Sequence, residues 1–273
     1  MSFLERVRAV KVEEVARWQA RVPLGLLEAQ ARRAPQPRSL EGALRQAGVP
    51  AVIAELKQAS PSAGRIGRQS DPAAVARRYE AAGAAALSVL TDFPFFRGSL
   101  ARLRVVRASV AVPVLRKDFH IHPYQIIQAR AAGADAVLLI AALLPGQELA
   151  ELLTLARRLG MDALVEVHRE DELDRALAAG ARLVGVNNRD LESLETSLQV
   201  GERLLPRVPA PILAVAESGL KNPDDVARMV RAGAQAVLVG EALTRHPDPS
   251  ALIAAFLEVG AGAREAVRPQ AAG

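Results

Sequence analysis

ARAAGADAVLLI, residues 129–140, carries a helix end, a glycine, a short spacer and an apolar strand in twelve residues. The same pattern recurs as RYEAAGAAALSVL at 78–90, ALAAGARLVGV at 176–186 and MVRAGAQAVLVG at 229–240. The four glycines, Gly83, Gly133, Gly180 and Gly233, suit the left-handed conformation that ends a helix. Their spacings of 50, 47 and 53 residues are too long for one strand–helix unit and right for two. The missing strands lie between them, as VIAELK at 52–57, VPVLRK at 112–117, ALVEV at 163–167 and PILAVAE at 211–217. Helical patterns such as 148–158 and 223–231 join them. Eight short strands thus alternate with helices. Because they are apolar nearly throughout, the sheet is expected to be covered on both faces and therefore parallel. Eight such units favour a closed (β/α)8 barrel. An open doubly wound sheet is the alternative, since periodicity does not report closure.

Outward from the repeats, residues 1–48 fit no strand–helix unit. Leu4, Val7, Val15, Trp18 and Val22 lie at helical spacing, Pro35 and Pro37 mark a break, and Ser39 is placed to cap a helix over Leu40–Gln46. This segment is read as a helical extension packed on a barrel of residues 49–260, with a loose tail at 261–273, all in a single domain. The 273 residues are half hydrophobic and 3% aromatic, so the core is expected to consist mainly of Ala, Leu and Val. The absence of cysteine excludes disulfides, thiolate metal sites and a cysteine nucleophile. The longest apolar run, Ala136–Leu144, is too short to cross a membrane, and the charged N-terminus has no signal segment. A cytoplasmic location follows as the expectation. The net charge of +5 is spread among mixed signs and few aromatics, which argues against a nucleic-acid partner.

In such a barrel, chemistry sits at the C-terminal strand ends. There the sequence puts Glu55 and Lys57, Lys117, Glu166, Asn187 with Arg189, Glu217-Ser-Gly219, and Gly240. Alternation sends Glu55 and Lys57 to one face of their strand. Lys117 is one of only four lysines among 35 basic residues, and it follows an arginine that could have supplied the charge. An ammonium can give up a proton where a guanidinium cannot, so Lys117 reads as a proton donor. A ring of barrel-end ion pairs explains any one of these residues better than catalysis does. It explains the set less well, because converging buried charges are costly without a use. Ser218, Gly219 and Gly240 sit where loops after the last two strands commonly hold phosphate. His120 and His122 are too few for a metal site. Phe93, Phe95, Phe96 and Phe119 follow the second and third strands and could wall an aromatic substrate.

IAELKQASPS (53–62), ALSVLTD (86–92), PVLRKDF (113–119), GADAVLLI (133–140), LVEVH (164–168), GVNNRDL (185–191) and ESG (217–219), in this order and spacing, resemble the indole-3-glycerol phosphate synthase family. The resemblance runs from the N-terminal helix to about residue 245 and implies a TIM barrel with an N-terminal helical extension. It implies ring closure, decarboxylation and dehydration of 1-(2-carboxyphenylamino)-1-deoxyribulose 5-phosphate, in tryptophan biosynthesis, without cofactor or metal. By position, Lys117 would be the general acid and Glu166 the acid or base of dehydration. Lys57 would hold the substrate carboxylate or phosphate and could donate a proton. Glu55 and Glu217 would position lysines and sugar hydroxyls, and Asn187 would bond the substrate near the reacting centre. Arg189, Ser60, Ser218, Gly219 and Gly240 would line the substrate and phosphate site, and Phe96 and Phe119 would flank the anthranilate ring. Two departures stand out: a phenylalanine-rich segment at 93–96, and Glu241, whose carboxylate would have to point away from a phosphate. The expected partner is this small phosphorylated molecule, with no nucleic acid and no membrane, and a monomer is expected. Phosphoribosylanthranilate isomerase, the nearest rival, relies on a Cys–Asp pair that this chain lacks. Tryptophan synthase α-subunit remains possible by fold, and a silent barrel that only binds an anion is the rival of a different class.

Overall fold

The computed structural model describes residues 2–57, 59–60, 64–65 and 71–265, with side chains left aside at 59–60, 64–65 and 259–265. Eight parallel strands close into a barrel: β1 (Ala51–Leu56), β2 (Ala86–Leu90), β3 (Val114–Lys117), β4 (Ala136–Ile140), β5 (Asp162–Val167), β6 (Leu183–Asn187), β7 (Leu213–Glu217) and β8 (Ala236–Val239). Each pairs with its neighbour in chain order, and β8 closes on β1 through Ala51–Ala236 to Ala54–Val239. This decides between closed barrel and open sheet. The strands are buried over nearly their whole length, as runs of Ala, Leu, Val and Ile on a doubly covered sheet must be.

The helices between them run from α4 (Pro72–Ala81) through α5 (Leu100–Ser109), α6 (Pro123–Ala131), α7 (Glu148–Arg158), α8 (Glu170–Ala178), α9 (Gln199–Leu204), α10 (Pro223–Arg231) and α11 (Glu241–Arg245) to α12 (Pro249–Glu265). The four repeat glycines all have positive φ at helix C-termini, 97°, 85°, 81° and 115°. Helix α12 continues past Gly260, where the sequence places a loose tail, up to Glu265; residues 266–273 lie outside the described residues. Strands β3 and β7 begin two residues later than their apolar runs, because Pro113 and Pro211 bring no N–H to a ladder.

The extension comprises α1 (Phe3–Arg21), α2 (Leu24–Arg33) and α3 (Leu40–Gln46). A further break at Pro23 separates the first two, since proline opens a helix but does not continue one. Ser39 caps α3 by accepting from Gly42 N at 2.9 Å. Several polar anchors tie the extension to the barrel. Tyr124 OH, on α6, donates to Val22 O at 2.9 Å and Trp18 O at 3.1 Å. Arg38 spans to the carbonyls of Val110 and Val112. Lys11, 1% exposed on the inner face of α1, reaches the strand ends themselves. Its Nζ lies 2.8 Å from Asp92, 2.8 Å from Asp118 and 2.7 Å from Glu14.

Candidate active site

The C-terminal mouth of the barrel opens into a cavity of about 830 Å3. Glu55, Lys57, Lys117, Glu166, Asn187, Arg189, Glu217, Ser218, Gly219 and Gly240 all border it, as do Phe96 and Phe119. Of the residues expected from the sequence, Phe93 and Phe95 do not border it, and the side chain of Ser60 lies outside the described ones; the Ser60 backbone pairs with Gly64 in a two-residue ladder.

Lys117 ends β3 and extends across the mouth. Its Nζ donates to Glu217 Oε2 at 2.9 Å and to Glu166 Oε2 at 3.2 Å. Burial by itself would lower the pKa of this lysine, but Glu217, Glu166 and Glu55 outweigh it and push the pKa upward. The lysine is therefore held charged, with a proton available. The two carboxylates diverge. Glu217 is raised to about 7 by burial, against the pull of Lys117 and helped by repulsion from Glu166. Glu166 also feels burial, yet Lys117 and His168 together bring it well below the usual carboxylate range. Two acids sharing one cation thus split into a protonatable and an ionised member.

Glycines make room for these groups. A Cβ on Gly185 of β6 would collide with Oε1 of Glu217 on the adjoining strand, and a Cβ on Gly240 would lie 2.5 Å from Oε1 of Glu55. Small residues on β6 and after β8 therefore let acids from β7 and β1 lean into the barrel end.

The aromatic wall is built by Phe3 of α1 with Phe96 and Phe119, and Phe95 packs against Phe3 and Phe119 without lining the cavity. Phe95 and Phe119 meet edge to face at 5.9 Å, and Phe96 lies tilted on Phe119 at 6.0 Å. Asp92 fixes the segment after β2 by accepting from Phe95 N at 2.7 Å and Phe96 N at 3.2 Å. Lys57 Nζ sits 5.9 Å over the Phe96 ring. Phe93, 58% exposed, is not part of the wall. At the opposite end, Ser218 and Gly219 are both left-handed, with φ of 63° and 78°. For serine that conformation costs of order 1 kcal/mol, a kind of strain that clusters at ligand sites. Glu241 borders the cavity, with its carboxylate held by Arg245 at 3.1 Å and Arg189 at 3.5 Å, so two cations answer the charge that made it look out of place. Asn187 Oδ1 accepts from Arg189 N at 3.0 Å and so shapes the turn that carries the arginine.

The two histidines of the HIH segment do not face one site. His120 is buried against Leu138 O at 2.8 Å, with a pKa lowered to about 3 by burial first and Arg116 second. His122 caps α6 by accepting from Tyr124 N. Among the described residues no group of three or more His, Asp or Glu has the arrangement to hold a metal ion. Sequence reasoning passed over Lys11, Asp92, Asp118 and His168. The signal for Lys11 was present: it is another of the four lysines, at i+4 from Val7 and i−4 from Val15, hence on the buried face of α1.

A sequence model described as indole-3-glycerol phosphate synthase matches residues 4–256. The chain belongs to the indole-3-glycerol phosphate synthase family. The indole-3-glycerol phosphate synthase of Azoarcus sp. (strain BH72) is 50% identical over 254 residues, covering 91% of this chain and 96% of its own. That of Mycobacterium avium (strain 104) is 48% identical over 259 residues, covering 95% and 93%. That of Rhodopirellula baltica is 48% identical over 248 residues, covering 91% and 96%. Family membership was expected from the strand-end motifs, and these residues of the family pattern are the ones that meet at the mouth. Among the described residues no helix is long and apolar enough to cross a membrane.

Proposed function

We propose that the chain converts 1-(2-carboxyphenylamino)-1-deoxyribulose 5-phosphate to indole-3-glycerol phosphate, with the cavity residues in the following roles. The observation that carries the reading is a partly exposed, charged lysine held between two buried carboxylates, with an aromatic wall on one side and a small-residue turn on the other. Such a cavity suits a substrate that is aromatic at one end and phosphorylated at the other.

With the anthranilate ring against Phe96 and Phe119 and the phosphate at Ser218, Gly219 and Gly240, the ribulose carbonyl reaches the middle of the mouth. As the ring carbon that bears the carboxylate attacks this carbonyl, negative charge grows on the ketone oxygen. Lys117 delivers its proton there. A lysine with a raised pKa is a weak acid toward water, but the developing alkoxide is far more basic than an amine, so the transfer runs downhill. The ammonium also stabilises the charge before the proton moves. Loss of CO2 then restores the ring's aromaticity, and loss of water completes the indole. Glu166, kept ionised by Lys117 and His168, serves that dehydration as the base. Glu217, near its midpoint at neutral pH, re-supplies Lys117 with a proton. Lys57 holds the carboxylate or phosphate and is a second proton source. Glu55, Asn187 and Arg189 hold sugar hydroxyls and the anthranilate carboxylate. The chain acts as a monomer in the cytoplasm under this reading.

Purified protein mixed with the carboxyphenylamino-deoxyribulose phosphate should generate indole fluorescence. Binding of this compound without any fluorescence gain would leave only the silent barrel.

A further inference from the structure

We infer that His168 is a positioning residue for Glu166, held as an imidazolium between two carboxylates so that Glu166 keeps one orientation and stays ionised; the inference rests on the reading of Glu166 given above. His168 directly follows β5, two residues beyond Glu166 and on the same face of the chain. Its ring is 8% exposed and does not border the cavity, so it acts through Glu166 and not on the substrate. Nδ1 hydrogen-bonds Glu172 Oε2 at 3.3 Å, and Nε2 lies 3.3 Å from Glu166 Oε1, at ion-pair distance but not aligned as a hydrogen bond. A neutral imidazole has one N–H and one lone pair, so its lone pair would lie against one of the two carboxylates; only the cation is attracted to both. Glu172, in the first turn of α8, is itself fixed. The same Oε2 accepts from His168 N at 2.7 Å, and its Oε1 lies 3.2 Å from Arg169. The outcome is a line of charges, Arg169–Glu172–His168–Glu166–Lys117, in which each carboxylate oxygen of Glu166 faces a different cation.

The remaining charged neighbour on a packed element is Asp190, in the loop after β6, which feels the His168 charge. The Ala141–Leu143 turn packed on α8 and β5 has no ionisable side chain. Three acids against two cations favour the imidazolium. Burial works against it, but Glu166 and Glu172 overcome burial and raise the histidine to about 9. His168 itself makes and breaks no bond in the reaction; it holds Oε1, which leaves Oε2 to Lys117 and the reacting molecule.

The test combines ring NMR with pH profiles of turnover for wild type, His168→Gln, His168→Lys and Glu172→Gln, using the carboxyphenylamino-deoxyribulose phosphate. The wild-type ring should stay protonated until pH nears 9, a readout that holds whether or not this compound is turned over. A ring titrating near the ordinary 6.5 overturns the inference. Absence of turnover in the wild type would instead remove the reading of Glu166, and the inference with it. With turnover present, His168→Gln should lower kcat by roughly tenfold to a hundredfold, the size of orienting groups behind a catalytic one. KM should stay within about threefold of wild type, the binding residues being untouched. His168→Lys should recover part of the loss, and Glu172→Gln should move the alkaline limb of kcat to lower pH. Should His168→Gln not fold, the Glu172→Gln limb still decides. An unmoved limb, or a lysine variant no better than glutamine, overturns the inference.

Discussion

Replacing Lys11 by methionine removes a buried cation that α1 contributes to the strand ends. Lys11 is 1% exposed and touches three carboxylates at 2.7–2.8 Å, two of them on the ends of β2 and β3. The three carboxylates, against burial, hold its pKa above the ordinary lysine value. Asp118 would keep Arg116 at 3.0 Å and Thr91 at 2.5 Å, and Glu14 is partly solvated. Asp92 would be the orphan, buried and left with only backbone donors. Removing one partner of a buried pair costs about 3–5 kcal/mol. At roughly 2–4 °C per kcal/mol for a chain near this size, the melting temperature should fall by about ten degrees. The sign with pH follows from Asp92. Burial already raises its pKa, and losing Lys11 raises it further. A carboxyl whose folded pKa exceeds its unfolded one takes up a proton on folding, so stability falls as pH rises between the two values. The deficit of the variant should therefore shrink between pH 7 and pH 4.5. Urea titrations at both pH values measure it. A loss below about 1 kcal/mol at pH 7, or one that does not depend on pH, refutes the reasoning.

Gly185→Ala drives a Cβ into the carboxylate of Glu217 and should cut kcat by on the order of a hundredfold, as misplacement by about an ångström does; a crystal structure of the variant with Glu217 in place and normal kcat would contradict this. Glu217→Gln removes a group whose folded pKa is raised to about 7, so the wild type loses stability as pH rises from 4.5 to 7 and the variant does not. The variant should therefore be the more stable of the two at pH 8 relative to pH 5, and parallel melting curves across that range would count against it. Phe96→Ala should raise KM severalfold by opening the aromatic wall, while Phe93→Ala should leave it unchanged; steady-state kinetics on both separates wall from cover.

The barrel was readable because its information is periodic. Gly133 and its three counterparts mark helix ends with positive φ, and runs such as Ala136–Ile140 have no polar residue to mislead. Ser39 marked α3 for the same local reason, a hydroxyl that caps an N-terminus. The mouth residues were readable because a strand end fixes position: Glu55, Lys117, Glu166 and Glu217 stand at the ends of alternate strands, β1, β3, β5 and β7, and converge once the sheet closes. What stayed hidden was long-range. Lys11 lies more than 80 residues from Asp92, and no period links a helix before the barrel to its second strand end. The role of Gly185 depends on which residue β7 places beside β6, which is a matter of register. His168 was in view as part of LVEVH, but its second carboxylate belongs to the next helix, and only the turn between them brings Glu172 to the ring. The divergence of Glu166 and Glu217 is likewise a product of burial and neighbours, which composition does not carry.

The central claim is that Lys117 gives its proton to the substrate. Its most direct test is Lys117→Arg, which keeps the charge between Glu166 and Glu217 but holds its proton too tightly to give it up. Turnover of the carboxyphenylamino-deoxyribulose phosphate and its binding should be measured side by side. The expected result is retained folding and binding with kcat lower by roughly 10²–10⁴-fold, the contribution of a positioned general acid. Near-normal kcat with binding intact would contradict the claim and move the acid elsewhere in the mouth, to Lys57.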